Sequence, residues 1–212
     1  MVTVQLLEGR KMITHGGPME WARSNPFYPQ FLFGITALGL LVAAVAVGGM
    51  RPPSALLFLG GGIVSWTFLE YMFHRFLFHV LENWAGEDHL RHHELPRDAT
   101  KVAAPMVLSF PMFWAIFGTS WIVFGSFGVA ASFGSGLCLG YMTYEWIHYS
   151  AHHRIPRTRL GKYYRRYHMI HHFKDTQNYF GVSSPFWDWI FRTKPVRDGA
   201  GETASARPAS ES

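Results

Sequence analysis

Cysteine is nearly absent from this chain: Cys138 stands alone in 212 residues. Within one chain that excludes a disulfide framework, a zinc ribbon and a cysteine-held iron–sulfur cluster. Cys138 lies among small apolar residues and reads as packing. Charge is also scarce, at 16% of residues, and long stretches carry none. No glycine-rich dinucleotide fingerprint occurs, so no organic redox cofactor is in view. No internal repeat appears beyond a recurring histidine triplet. The opening MVTVQLLEGRKM lacks a signal-peptide layout, and the first apolar run is expected to be retained.

What replaces charge is length of apolar run. A run of about 18 or more such residues reads as a membrane-spanning helix. Four spans are expected. The first covers Pro29 to Met50. The second begins at Ser54, stays uncharged to Leu69, and continues through Glu70 towards His79. The third covers Pro105 to Gly125, and the fourth Val129 to Ile147. GGMRPP separates the first two and GSFG the last two, which makes two helical hairpins. The expected fold is therefore all-α, an integral membrane protein with four transmembrane helices. The divisions are an N-terminal segment 1–28, a membrane domain 29–197, and a polar, disordered tail 198–212.

Lysine and arginine orient these spans. Arg10, Lys11 and Arg23 precede the first; Arg75, Arg91, Arg97 and Lys101 lie in or beside the segment joining the hairpins; eleven more follow the fourth. Only Arg51 falls on the other side. The positive-inside rule puts both termini and the joining segment in the cytoplasm. The net charge of +5 follows the membrane flanks, and no nucleic-acid-binding motif accompanies it. The brevity of the chain fits a bacterial inner membrane.

Eleven of the twelve histidines fall into four clusters, all on that cytoplasmic side; His15 alone stands apart. They are HRFLFH (His74, His79), HLRHH (His89, His92, His93), HYSAHH (His148, His152, His153) and HMIHH (His168, His171, His172). Residues three and four apart share a helix face, so each triplet is expected to converge on one point, as are His148 and His152. His74 and His79 are five apart, roughly 140° around an ideal helix. That pair requires a frayed end or a π-type turn. The KYYRRYHMIHHF stretch is expected to form an interfacial helix, and FGVSSPFWDWIFRT to lie at the membrane surface.

So many imidazoles exceed what one ion can use. Nitrogen donors suit zinc, copper, iron and nickel, and a structural zinc site would be complete with four ligands. Two metals with about five imidazoles each would leave an open position for oxygen. The site is then a cytoplasmic, histidine-rich dimetal cap facing a substrate that lives in the membrane. Electrons must come from a separate donor, and Arg154, Arg157, Arg159, Lys162, Arg165 and Arg166 either dock it or sit on lipid headgroups. A metal transporter would instead spread ligands near the bilayer midplane.

LEYMFHRFLFH, HLRHHELPRD, HYSAHH and YHMIHHF followed by NYFGVSSPFWDWIFRT closely resemble the membrane fatty acid hydroxylase and sterol desaturase superfamily, from about Ser65 to Thr193. The motifs are most similar to the fatty acid 2-hydroxylase branch. β-Carotene hydroxylases typically carry an aspartate where this chain has Tyr149. The resemblance implies a four-helix anchor with a di-iron site, zinc being a substitute in purified protein, and dioxygen as co-substrate. It implies His74, His79, His89, His92, His93, His148, His152, His168, His171 and His172 as ligands. His153 stands between ligand and supporting residue. Glu70 and Glu145, one turn before His74 and His148, with Asp88, Asp175 and Asn178, either orient ligands by hydrogen bonds or are ordinary interfacial polar residues. Phe186, Trp187 and Trp189 either line an acyl channel or anchor the chain. Eukaryotic relatives often carry a fused cytochrome b5 domain; the first thirty residues are too few for one, so a ferredoxin- or cytochrome b5-like external donor is expected. The implied activity is hydroxylation of a lipid acyl chain. Desaturation, or attack on a sterol-like or carotenoid lipid, stays open.

Overall fold

The computed structural model describes residues 25–194. Almost all of the 1–28 segment, with His15, and all of the 198–212 tail lie outside them. Among the described residues there are helices and no strands. The long elements are α1 (Tyr28–Ala46), α2 (Pro52–Met72), α3 (Trp84–Glu94), α4 (Met106–Phe124), α5 (Phe127–His153) and α6 (Arg159–Phe173); α7 (Phe186–Ile190) is short. A π-helix, Phe73–Val80, continues α2, and a 3₁₀ turn, Ala99–Lys101, precedes α4.

The punctuation read from sequence closes the hairpins. Val47 and Gly48 donate to the Ala43 carbonyl as α1 ends, and Pro52 and Pro53 open α2, where a missing N–H costs nothing. Gly125 ends α4 with φ +62°, and Ser126 caps α5 by accepting from Val129 N–H. Three stretches are long and apolar enough to cross a membrane: Tyr28–Ala46, Pro52–Val80 and Ala99–Phe124.

The expected fourth span lies inside α5, which is not among those three. The reason is its position. Helix α5 packs against α1, α2 and α4, and most of its first twenty residues are buried. A helix enclosed by others needs small residues for close approach rather than bulky lipid-facing ones. Gly136 shows this: a Cβ there would lie 2.0 Å from the Leu59 carbonyl oxygen of α2.

Beyond the hairpins, three elements gather over the ends of α2 and α5. Asn83 caps α3 by accepting from Ala85 and Gly86 N–H (2.9 and 3.0 Å). Thr158 caps α6 by accepting from Gly161 N–H (3.0 Å). The π-helix carries HRFLFH, and Leu81 N–H reaches the Phe76 carbonyl five residues back (2.8 Å). That winding brings His74 and His79 onto one side, as their spacing required.

Candidate metal centre

Ten imidazoles meet in two groups of five. His74, His79, His89, His93 and His171 form the first; His92, His148, His152, His168 and His172 form the second. In each, one nitrogen from every ring lies within 4.8 Å of all the others.

Neither triplet converges on a single point, contrary to the simple spacing expectation. In α3, His89 and His93, four apart, face the first group while His92 turns to the second. In α6, His168 and His172 face the second group while His171 turns to the first. Positions i and i+4 differ by only about 40° around a helix, whereas i+3 falls to the other side. H-x-x-H-H on a helix wedged between two sites therefore serves both. The π-helix completes the first group and α5 the second. The groups share a wall, where His93 of one stacks on His172 of the other (4.0 Å, 12°).

The convergence is not hydrogen bonding. His89 Nε2 lies 3.1 Å from His74 Nε2, 3.2 Å from His79 Nε2 and 3.2 Å from His93 Nε2. A neutral imidazole nitrogen offers one proton or one lone pair, not three bonds. In the second group, His148 and His92 bring their Nε2 atoms to 3.0 Å, and His152 and His168 to 2.8 Å. Nitrogens about 2.0–2.1 Å from one ion at right angles to each other would stand roughly 2.9 Å apart. The donor set fits a metal at each group, and imidazole without thiolate or carboxylate suits zinc, copper, iron or nickel.

Electrostatics agrees. Burial, reinforced by neighbouring imidazoles, lowers His93 and His171 from the usual value to about 3 and His92 to about 2. These rings are neutral near pH 7, the state in which a nitrogen lone pair can bind metal.

The two groups differ in their outer nitrogens. His74 Nδ1 hydrogen-bonds the Phe180 carbonyl and His171 Nδ1 the Asn178 carbonyl (2.8 Å). Each Nδ1–H donates, which fixes the tautomer and turns Nε2 inward. In the second group, Nδ1 of His92, His148, His168 and His172 is buried without a protein partner, as is that of His93 in the first.

The carbonyl-bearing loop is itself clamped. Glu70 accepts from Val182 N–H (2.6 Å), Ser183 N–H (2.7 Å) and the Ser183 hydroxyl. Asp188 accepts from Phe180 N–H (2.8 Å), Gly181 N–H (2.7 Å) and the Thr193 hydroxyl (2.8 Å). Glu70 thus grips the loop that orients His74 and does not touch the imidazole itself. Asp175 accepts from the Asn178 side chain (2.9 Å), and Asn178 reaches His171 through its backbone. Glu145 accepts from Ala104 N–H (3.3 Å), and Asp88 pairs with Lys101 (3.1 Å). His153 joins neither group and stacks on Tyr149 (4.8 Å, 26°). Sequence reading missed Asp188; a lone carboxylate inside the aromatic run SPFWDWIF was its one signal.

An almost wholly apolar cavity runs between α2, α4 and α5 beneath the histidines. Its wall includes Trp66, Leu69, Phe73, Phe78, Met112 and Leu137. Two lining residues touch the groups: Phe78 stacks on His89 (5.0 Å, 18°), and Tyr144 lies 5.6 Å from His148 between ring centres. Phe186, Trp187 and Trp189 are not in that wall. Trp187 donates instead to the Thr67 hydroxyl (3.0 Å), while Phe186 and Trp189 are exposed.

The family model described as fatty acid hydroxylase matches residues 59–193, a stretch that contains all ten histidines. The chain belongs to the fatty acid hydroxylase family. It is 36% identical over 145 residues to a dihydroceramide fatty acyl 2-hydroxylase of Arabidopsis thaliana, covering 64% of this chain and 59% of that one. It is 34% identical over 195 residues to the ceramide very long chain fatty acid hydroxylase of Schizosaccharomyces pombe, covering 84% and 54%. Among solved structures, scs7p with only its hydroxylase domain visible matches with a TM-score of 0.72 at 26% identity, covering 84% of this chain and 69% of that one. The chain thus spans somewhat over half the length of these two curated relatives.

Proposed function

We propose that the chain is a membrane oxidoreductase that inserts oxygen into a C–H bond of a lipid acyl chain, with an iron ion in each five-histidine group. The observation that carries this is the junction of the two groups with the apolar cavity through Phe78 and Tyr144. Relatives named for acyl hydroxylation of ceramides and dihydroceramides supply the substrate class. Bound iron supplies redox chemistry with dioxygen strong enough to attack an unactivated C–H bond, and zinc can occupy the same imidazoles.

The protein's own part is placement. The cavity takes an alkyl chain and excludes water, so the carbon presented to the histidines is set by how the chain lies along α5. Phe78 and Tyr144 fill the space where cavity and imidazoles meet. Loop carbonyls hold His74 and His171 in one orientation. Hydroxylation consumes one dioxygen, two electrons and two protons and releases one water, so a separate one-electron carrier must supply the electrons. Helix α5 serves as the fourth span, enclosed by the other three, and the positive-inside rule puts the histidine cap on the cytoplasmic face.

The test is a lipid comparison by mass spectrometry between cells expressing the intact chain and a His148→Ala, His172→Ala double variant. A lipid that gains one oxygen only with the intact chain is the expected result. Loss of two hydrogens would replace hydroxylation by desaturation. No difference, with iron and a competent donor present, would overturn the reading.

A further inference from the structure

Helix α6 has two faces of opposite character. Inward, Tyr167, His168, His171 and His172 are buried. Outward, Arg159, Lys162, Tyr163 and Arg166 are exposed at spacings of three, four and seven, one continuous stripe. Arg154 and Arg157 are exposed just ahead of the helix. No acidic residue occurs between Glu145 and Asp175. Among the described residues the one salt bridge is Lys101–Asp88, so none of these cations pairs with a described carboxylate; Arg154 lies over the Trp146 ring (4.2 Å).

The helix does not want them there. Its first turn, where the dipole favours acids, carries none and begins with Arg159. Charge placed against the helix's own preference points to something outside the helix. Only one helix thickness, about 10–12 Å, separates this face from the imidazoles on the other side. His152, the one partly exposed member of the second group, lies two residues before Arg154.

We propose that the outer face of α6, with Arg154 and Arg157, docks an acidic one-electron carrier protein that feeds the second histidine group. This rests on the oxidoreductase reading, which requires an external supply of two electrons per turnover. Complementary charge would steer the carrier and fix its orientation, with an association rate that falls as salt rises. The positive-inside rule accounts for cations on this flank; their gathering in one stripe behind the second histidine group is what favours a carrier.

The test measures binding of two acidic carriers, a 2Fe–2S ferredoxin and a cytochrome b5 haem domain, to the metal-loaded full chain. The chain is held in nanodiscs of neutral phosphatidylcholine, which removes anionic headgroups. The variant is Arg159→Glu, Lys162→Glu and Arg166→Glu; the first two acids fall in the first turn, where they suit the helix dipole, and Arg166 is exposed mid-helix. Metal content and thermal midpoint serve as the folding controls.

At least one carrier should bind the intact chain, more weakly as salt rises. The variant should bind that carrier roughly 10-fold or more weakly at unchanged metal content. Equal binding by both chains, or no binding of either carrier to the intact chain, would overturn the docking face. So would a variant whose only defect is weaker association with anionic vesicles, which would assign the cations to lipid. Binding is read without turnover, so a chain that docks a carrier yet hydroxylates no lipid faults the activity and not the surface.

Discussion

The two histidine groups are near mirror images in ligand supply and unlike in what supports them. Helix α3 gives two rings to the first and one to the second; α6 gives one and two. In the first group two rings are aimed by carbonyls of a loop that Glu70 and Asp188 clamp. In the second, four buried Nδ1 atoms lack a protein partner. Equal donor sets therefore come with unequal preorganisation. Two rings of the first group are fixed by hydrogen bonds to loop carbonyls, while its His93 shares with the second group a buried Nδ1 without a protein partner.

The largest way to break that contrast is Glu70→Ala. It removes the acceptor for two N–H groups and a hydroxyl, and so frees the loop that carries the Phe180 carbonyl. Loss of such an outer partner typically costs about 10–100-fold in metal affinity. The expected outcome is that competition with a graded chelator weakens one of two metals by that factor and leaves the other unchanged. Equal weakening of both would mean that the loop supports the whole cap.

Acid should separate the groups far less, because burial lowers rings in both. His92, His93 and His171 have folded-state values of about 2 to 3 against an ordinary value of 6.5. The unfolded chain therefore binds more protons than the folded chain between those limits. Stability from these rings is complete above about pH 6.5 and falls as the pH drops from there towards 3, by up to about 1.4 kcal/mol per unit for each ring. Metal-free protein in detergent should lose tryptophan-monitored stability progressively below pH 6.5. Metal-loaded protein should resist to lower pH, since the ion binds only the neutral, folded set. A metal-free stability that stays flat down to pH 4 would contradict the inferred burial of these rings.

Much of this was legible in the chain itself. Uncharged runs marked the hairpins, and the five-residue spacing of His74 and His79 called for a frayed end or a π-type turn, of which the π-helix is present. The expectation of two sites with about five imidazoles each corresponds to two groups of five histidines. The division of each H-x-x-H-H between groups was not legible, because spacing shows which rings share a face but not that another site lies on the flank. The carbonyls of Phe180 and Asn178 left no trace either, since every residue has one. Glu70 and Glu145 looked like partners for the next histidine up the helix. Tertiary packing gave Glu70 to a loop more than a hundred residues away and Glu145 to Ala104 N–H.

The most direct measurement is metal content per purified chain by plasma mass spectrometry, for the intact protein and for His171→Ala and His172→Ala. These neighbours on α6 belong to different groups. Two ions in the intact chain, and about one in each variant, is the result expected of two separate five-imidazole sites. One ion in the intact chain, or complete loss of metal in both variants at an unchanged fold, would contradict two independent centres.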